Sequence, residues 1–171
     1  YMFSRSWGME TRLPLVDRYV KTLNHGATHD SPNYITSARN TSIGDIAVRG
    51  IYSGLSEDMS TGLIFGVRLP TGETKNHAFA SRNKQIGTGA TSSILGFYHI
   101  GNFNKFNNLN YFTQLVWEKP LVIHRGYHPG QEVSGSLGLV KSFSGFGQIK
   151  KISPMIQVLG TKKQQDSGFA D

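Results

Sequence analysis

The chain has 171 residues, 18 Lys and Arg against 11 Asp and Glu, and no cysteine, which excludes disulfide scaffolds, thiol catalysis and thiolate metal sites. Charged residues are only 17% and aromatics reach 11%, so the composition is that of a folded chain rather than a disordered one. No run nears the roughly 18 to 20 apolar residues of a membrane helix, and basic residues adjoin only at Lys150-Lys151 and Lys162-Lys163, so neither a helical span nor a nucleic-acid patch is expected.

Residues 1–16 alternate, with Phe3, Trp7, Met9, Leu13 and Leu15 on one side and Ser4, Ser6, Gly8, Glu10 and Arg12 on the other. A period of two predicts one long strand, with Pro14 weakening its pairing near the end. From Asp17 to Ile43 the chain turns polar, with Asn24-His25-Gly26 and Asp30-Ser31-Pro32-Asn33, and turn chemistry predicts a long loop. Residues 44–72 predict a β-hairpin. Ile46, Val48, Gly50 and Tyr52 share a face in its first arm, and Leu63, Phe65, Val67 and Leu69 in its second. Ser56, Glu57 and Asp58 fall in the tight turn between them, where such side chains bond backbone amides.

A second polar stretch runs from Pro70 to about Gly89. Its Gly87-Thr88-Gly89 lacks the following Lys-Ser/Thr and helix of a phosphate loop, and reads as a bend into the next strand. That strand, residues 90–101, carries Leu95 and Phe97 towards the apolar side. The strand at 109–121 sets Tyr111, Thr113, Leu115 and Trp117 against Phe112, Gln114, Val116 and Glu118, and a third polar loop follows at 119–131. Residues 132–140 set Val133, Leu137 and Leu139 against Glu132, Ser134 and Ser136, and residues 151–160 set Ile152, Pro154, Ile156 and Val158 against Met155, Gln157 and Leu159.

The connectors alternate long and short, so all the long ones fall at one end. Each strand pairs an apolar face with a face of Ser, Gly, Gln, Glu and Arg. Strands of roughly ten residues with that asymmetry are the pattern of an up-and-down transmembrane β-barrel, in which an apolar band meets lipid and the other face lines the lumen. Seven strands are an odd number, so the expectation is a single barrel domain to which this chain contributes a segment. On this reading Ile46, Val48, Leu63, Phe65, Val67, Leu137, Leu139 and Ile156 face lipid, and Trp7, Tyr52, Tyr111 and Trp117 sit in interfacial girdles. Glu10, Arg12, Arg49, Arg68, Gln114, Glu118 and Gln157 become pore-lining candidates, with Arg49 and Arg68 forming an electropositive strip on one hairpin.

Catalytic signals are lacking: no GxSxG elbow accompanies the serines. His25 and His29, like His124 and His128, have helical ligand spacing but lie among loop residues, and are read as ordinary loop histidines. No enzyme activity, cofactor or metal is expected.

The wording of several stretches adds to the pattern. LSEDMSTGLIFGVRLPTG from Leu55 to Gly72, QIGTGATS from Gln85 to Ser92, GYHPGQEV from Gly126 to Val133, and PMIQVLG from Pro154 to Gly160 resemble a family of Gram-negative outer-membrane proteins described as transporters, some named for the meta-cleavage pathway of phenol degradation. The resemblance implies location in the bacterial outer membrane, contact with its lipid and lipopolysaccharide, and passage of small solutes, hydrophobic or aromatic ones among them. Asn83 and Ser92 stand where the family pattern has acidic residues, so no cation site is carried over. Two alternatives remain open: a barrel with a plugged lumen that docks partner proteins in an envelope complex, and a soluble β-sandwich binding module.

Overall fold

The computed structural model describes residues 1–24, 34–74, 85–103, 109–121, 127–144 and 151–168. Its strands are β1 (Trp7–Arg12), β2 (Leu15–Asn24), β3 (Tyr34–Ile43), β4 (Ile46–Tyr52), β5 (Thr61–Leu69), β6 (Ser92–Asn102), β7 (Leu109–Pro120), β8 (Tyr127–His128), β9 (Glu132–Lys141), β10 (Phe143–Ser144), β11 (Lys151–Ile152), β12 (Met155–Lys163) and β13 (Ser167–Gly168). The described residues contain no helix, and no helix is long and apolar enough to cross a membrane.

Seven strands form one antiparallel sheet in the order β1-β4-β5-β6-β7-β9-β12. The predicted central hairpin is there as β4 and β5, with Ile46 opposite Leu69 and Tyr52 opposite Leu63. Its turn is tied as expected: Ser60 N–H donates to Asp58 Oδ1 at 3.1 Å and Thr61 N–H to Ser56 Oγ at 3.0 Å. Met59 there has φ 59°, a left-handed conformation unusual for a side chain of its size.

Three expectations are corrected. The first strand does not run through residues 1–16. Only β1 is regular, and Tyr1 folds back so that its carbonyl accepts from Met9 N–H at 2.7 Å. The supposed loop at 17–43 is mostly the β2–β3 hairpin, ten residues an arm, in register from Leu15 opposite Ile43 to Asn24 opposite Tyr34. Turn-forming residues dominated that reading, but Val16, Arg18, Val20 and Thr22 still alternate with Asp17, Tyr19 and Lys21, and backbone pairing follows the alternation. The β1–β4 pair thus continues beyond the main sheet, interrupted where Gly44 N–H donates to the Pro14 carbonyl at 2.8 Å. The last predicted strand likewise divides at Pro154 into β11 and β12.

Register assigns the faces. Cross-strand partners share a face, so one row carries Met9, Gly50, Phe65, Leu95, Trp117, Val133 and Lys162, and the next Trp7, Tyr52, Leu63, Phe97, Leu115, Gly135 and Gly160. The strands are staggered. Tyr52 ends β4 in the row where Phe97 is the sixth of eleven residues in β6, and such a slip is what strand tilt in a barrel requires. The sheet itself stays open among the described residues, with β1 and β12 at its edges. All nine residues of β12 are exposed.

Burial is reversed from a water-soluble sheet. Phe65, Leu95, Leu115, Leu137 and Val158 on the apolar face are 40%, 52%, 56%, 64% and 69% exposed. The buried cluster of Ala47, Ile64, Ile94 and Val116, with Tyr98 against it, lies on the mixed face. Ser92 and Ser136 are buried on that face too, so it is the sheltered side of the sheet and is called the inner face below.

Candidate functional site: the inner face

Every pore-lining candidate falls on the inner face by register. Glu10 lies opposite Arg49, and Arg68 opposite Ala47. Gln114 lies opposite Ser136, which in turn has Leu159 on its far side, and Gln157 lies opposite Gly138. Arg12 pairs with Ala47 at the long-loop end.

Two ion pairs cross this face. Arg68 Nη2 reaches Glu118 Oε2 at 2.7 Å, passing over β6, and Arg49 Nη1 stands 3.8 Å from Glu10 Oε1. On β6 the pair passes Ser92, which lies opposite Arg68, and Ile94, which lies opposite Glu118. Ser92 also hydrogen-bonds Glu118, and Glu132 lies directly across the strand pair from it. A charged belt therefore runs Glu10, Arg49, Arg68, Glu118, Glu132 from β1 to β9. This corrects the expected electropositive strip: each arginine has an acid from a strand outside its own hairpin, a pairing that sequence distance hides. The two pairs are unequal. Arg68 is well matched, whereas Arg49 Nε is buried with no hydrogen-bond partner among the described residues, and its contact to Glu10 is long.

The Gly-Thr-Gly stretch does more than bend. Asp45, 8% exposed, accepts from Gly72 N–H at 2.9 Å on one oxygen. Its other oxygen takes Thr88 N–H at 2.8 Å and Thr88 Oγ1–H at 2.6 Å. Residues 85–90 thus cradle an internal carboxylate rather than an external anion. Neighbouring bonds hold the same knot: Gly87 N–H donates to the Glu73 carbonyl, Arg18 Nη1 to the Gln85 carbonyl at 2.8 Å, and Asn40 Nδ2 to Glu73 Oε2 at 2.7 Å. Ala90 is 1% exposed beneath it. The β5–β6 connection is fastened against the long-loop end of the sheet, where Ala47 begins the inner face. Asp45 opens a strand by alternation, and nothing in its spacing from Thr88 announces the contact.

On the apolar face, Trp7 and Tyr52 stack at 4.8 Å between centroids, and Tyr111 stands 5.0 Å from Phe103. Both groups sit towards the short-turn ends of their strands, and Trp117 sits towards the long-loop end of β7. All eight lipid-facing candidates share this face by register. Among the described residues no group of three or more His, Asp or Glu could hold a metal ion. His25, His29 and His124 lie outside the described residues, and His128 is in β8.

No family model, curated protein or solved structure matches this chain.

Proposed function

We propose that this chain is part of an outer-membrane β-barrel that passes small solutes along its inner face. One observation carries the reading: a seven-stranded sheet leaves its large apolar side chains exposed while sheltering Arg, Glu, Ser and Gly on the other side. Lipid is the solvent that makes such an arrangement stable, since burial of apolar surface is favourable and buried ionic groups need partners. Aromatic side chains near both strand ends suit the headgroup boundary. The resemblance to outer-membrane transporters points the same way, and it alone suggests hydrophobic or aromatic solutes. A soluble β-sandwich would need a second sheet over the apolar face, and none of the described strands covers it.

In this mechanism the charged belt filters. Arg68 is neutralised by Glu118, so Arg49, less well paired, is the cation a passing anionic or polar group meets. The second reading, a barrel with a blocked lumen that docks envelope partners, is favoured by the knot around Asp45, which fastens a connection at the mouth. Recording in planar lipid bilayers separates the two. The first reading expects discrete conductance steps, and an ion preference that shifts towards cations in Arg49→Glu. A silent bilayer with both the native chain and Asp45→Ala would rule out conduction and leave the docking barrel.

A further inference from the structure

The outward side of the long-loop end holds a pocket of about 210 Å³ lined by Lys119, His128, Gln131, Gln164 and Ser167 among others, with no acidic residue in its lining. Ligand pockets for whole small molecules usually span roughly 300–1,000 Å³, so this one has room for a headgroup whose remainder lies outside. Its donors are arranged. Trp117 Nε1–H donates to Gln131 Oε1 at 3.0 Å, which leaves the Gln131 amide hydrogens for another acceptor. Lys119 Nζ stands 5.9 Å above the Trp117 ring. Asp166, between the lining residues Gln165 and Ser167, is occupied by Gly130 N–H and by Lys163 at 2.8 Å.

Below the pocket, register places Trp117, Val133 and Lys162 in one row of the apolar face, and Leu115, Gly135 and Gly160 in the next. The two glycines open a trough. A Cβ on Gly160 would meet nothing within 4 Å, and one on Gly135 would meet its first atoms only at 3.8 Å. Leu137 and Val158 continue the same surface with apolar side chains.

We infer that this site holds a phosphorylated lipid: the phosphate sits in the pocket against Lys119 and the amides of Gln131 and Gln164, Lys162 flanks it from the row below, and one acyl chain follows the trough over Gly135 and Gly160. The occupant follows from charge and shape together. Cationic and amide donors without acids select an anionic oxygen group, and an apolar trough running from that point selects a chain attached to it. This inference rests on the membrane reading above and gives one of its lipid contacts a defined place.

The test uses native mass spectrometry of the protein in neutral detergent, with equimolar phosphatidic acid and phosphatidylcholine of matched chains. Phosphatidic acid should be retained in preference, and Lys119→Ala combined with Lys162→Ala should reduce that retention about tenfold or more, the worth of charge-assisted hydrogen bonds. Gly160→Leu, which fills open space, should weaken retention with circular dichroism unchanged. Equal retention of the two lipids, or indifference to all three substitutions, overturns the inference. Competition by inorganic phosphate as strong as by phosphatidic acid overturns it too, since the trough would then contribute nothing. Flotation with phosphatidylcholine vesicles is measured on the same protein. Failure to float removes the membrane reading itself, whereas flotation without lipid preference removes only this site.

Discussion

Replacing Phe97 by Arg separates a lipid-facing sheet from a water-facing one. Phe97 is the sixth of eleven residues in β6 and points to the apolar face between Leu63 and Leu115. An arginine at the middle of a lipid-facing strand costs about 2–4 kcal/mol, and near the interface about 0–1 kcal/mol. Ser93 is the internal control. It lies four residues along the same strand on the same face, about 14 Å away at about 3.4 Å per residue and about 10 Å shallower at the usual tilt. Phe97→Arg should therefore destabilise the bilayer-inserted protein by about 2–3 kcal/mol more than Ser93→Arg, about a 30- to 150-fold difference in the unfolding equilibrium. Urea titration in phosphatidylcholine vesicles reads this through the emission of Trp7 and Trp117, both on the apolar face. In a water-facing sheet both are exposed substitutions, each worth within about 0.5 kcal/mol. Equal midpoints for the two variants would refute the lipid-facing assignment.

Other substitutions test the inner face and the turns. Asp45→Ala strands the Gly72 and Thr88 donors and should cost about 2–3 kcal/mol, with amide exchange at Gly72 and Thr88 accelerating before exchange in β5 or β6; unchanged exchange there would dissolve the knot as an element. Arg68→Met leaves Glu118 without its guanidinium and should cost about 2–3 kcal/mol, while Arg68→Met with Glu118→Leu should recover most of it, measured as a double-mutant cycle by denaturant titration. Asp58 is held down to about 2 by hydrogen bonds from Ser60 and Ser56. A depressed carboxyl stabilises above its unfolded value near 3.8 and loses that contribution as pH falls through about 2, so the Ser60 amide resonance should stay native-like at pH 3 and shift only below it. Arg39 and Asp17 meet at 2.6 Å but are 70% and 43% exposed, so Arg39→Ala should leave the denaturation midpoint nearly unchanged, with any small shift vanishing in high salt.

The strands of the main sheet were legible because alternation is a local signal. The Leu63, Phe65 and Val67 face in β5, and the Leu95 and Phe97 face in β6, emerge in the register as the sequence pattern has them. What the pattern hid was non-local or masked by composition. Asn40, Thr41 and Ser42 are turn formers by type, yet in β3 they pair with Arg18, Asp17 and Val16, because pairing with a facing strand overrides weak local preference. Arg68 meeting Glu118 and Asp45 meeting Thr88 depend on which strands become neighbours, and no spacing rule carries that. Lys119 stands alone in the sequence and Lys162 belongs only to a short basic pair; their nearness comes from β9, which pairs with both β7 and β12.

The two edges of the sheet have different futures. Along β1 the backbone of residues 1–3 folds against Trp7–Met9 and takes up hydrogen bonds there, while β12 presents Met155–Lys163 with nothing along its outer side among the described strands. A long apolar strand left open is a template for further pairing. Any further pairing is therefore directional. In water β12 is the edge at which chains would begin to stick together, because Ile156, Val158 and Leu159 stand exposed along it.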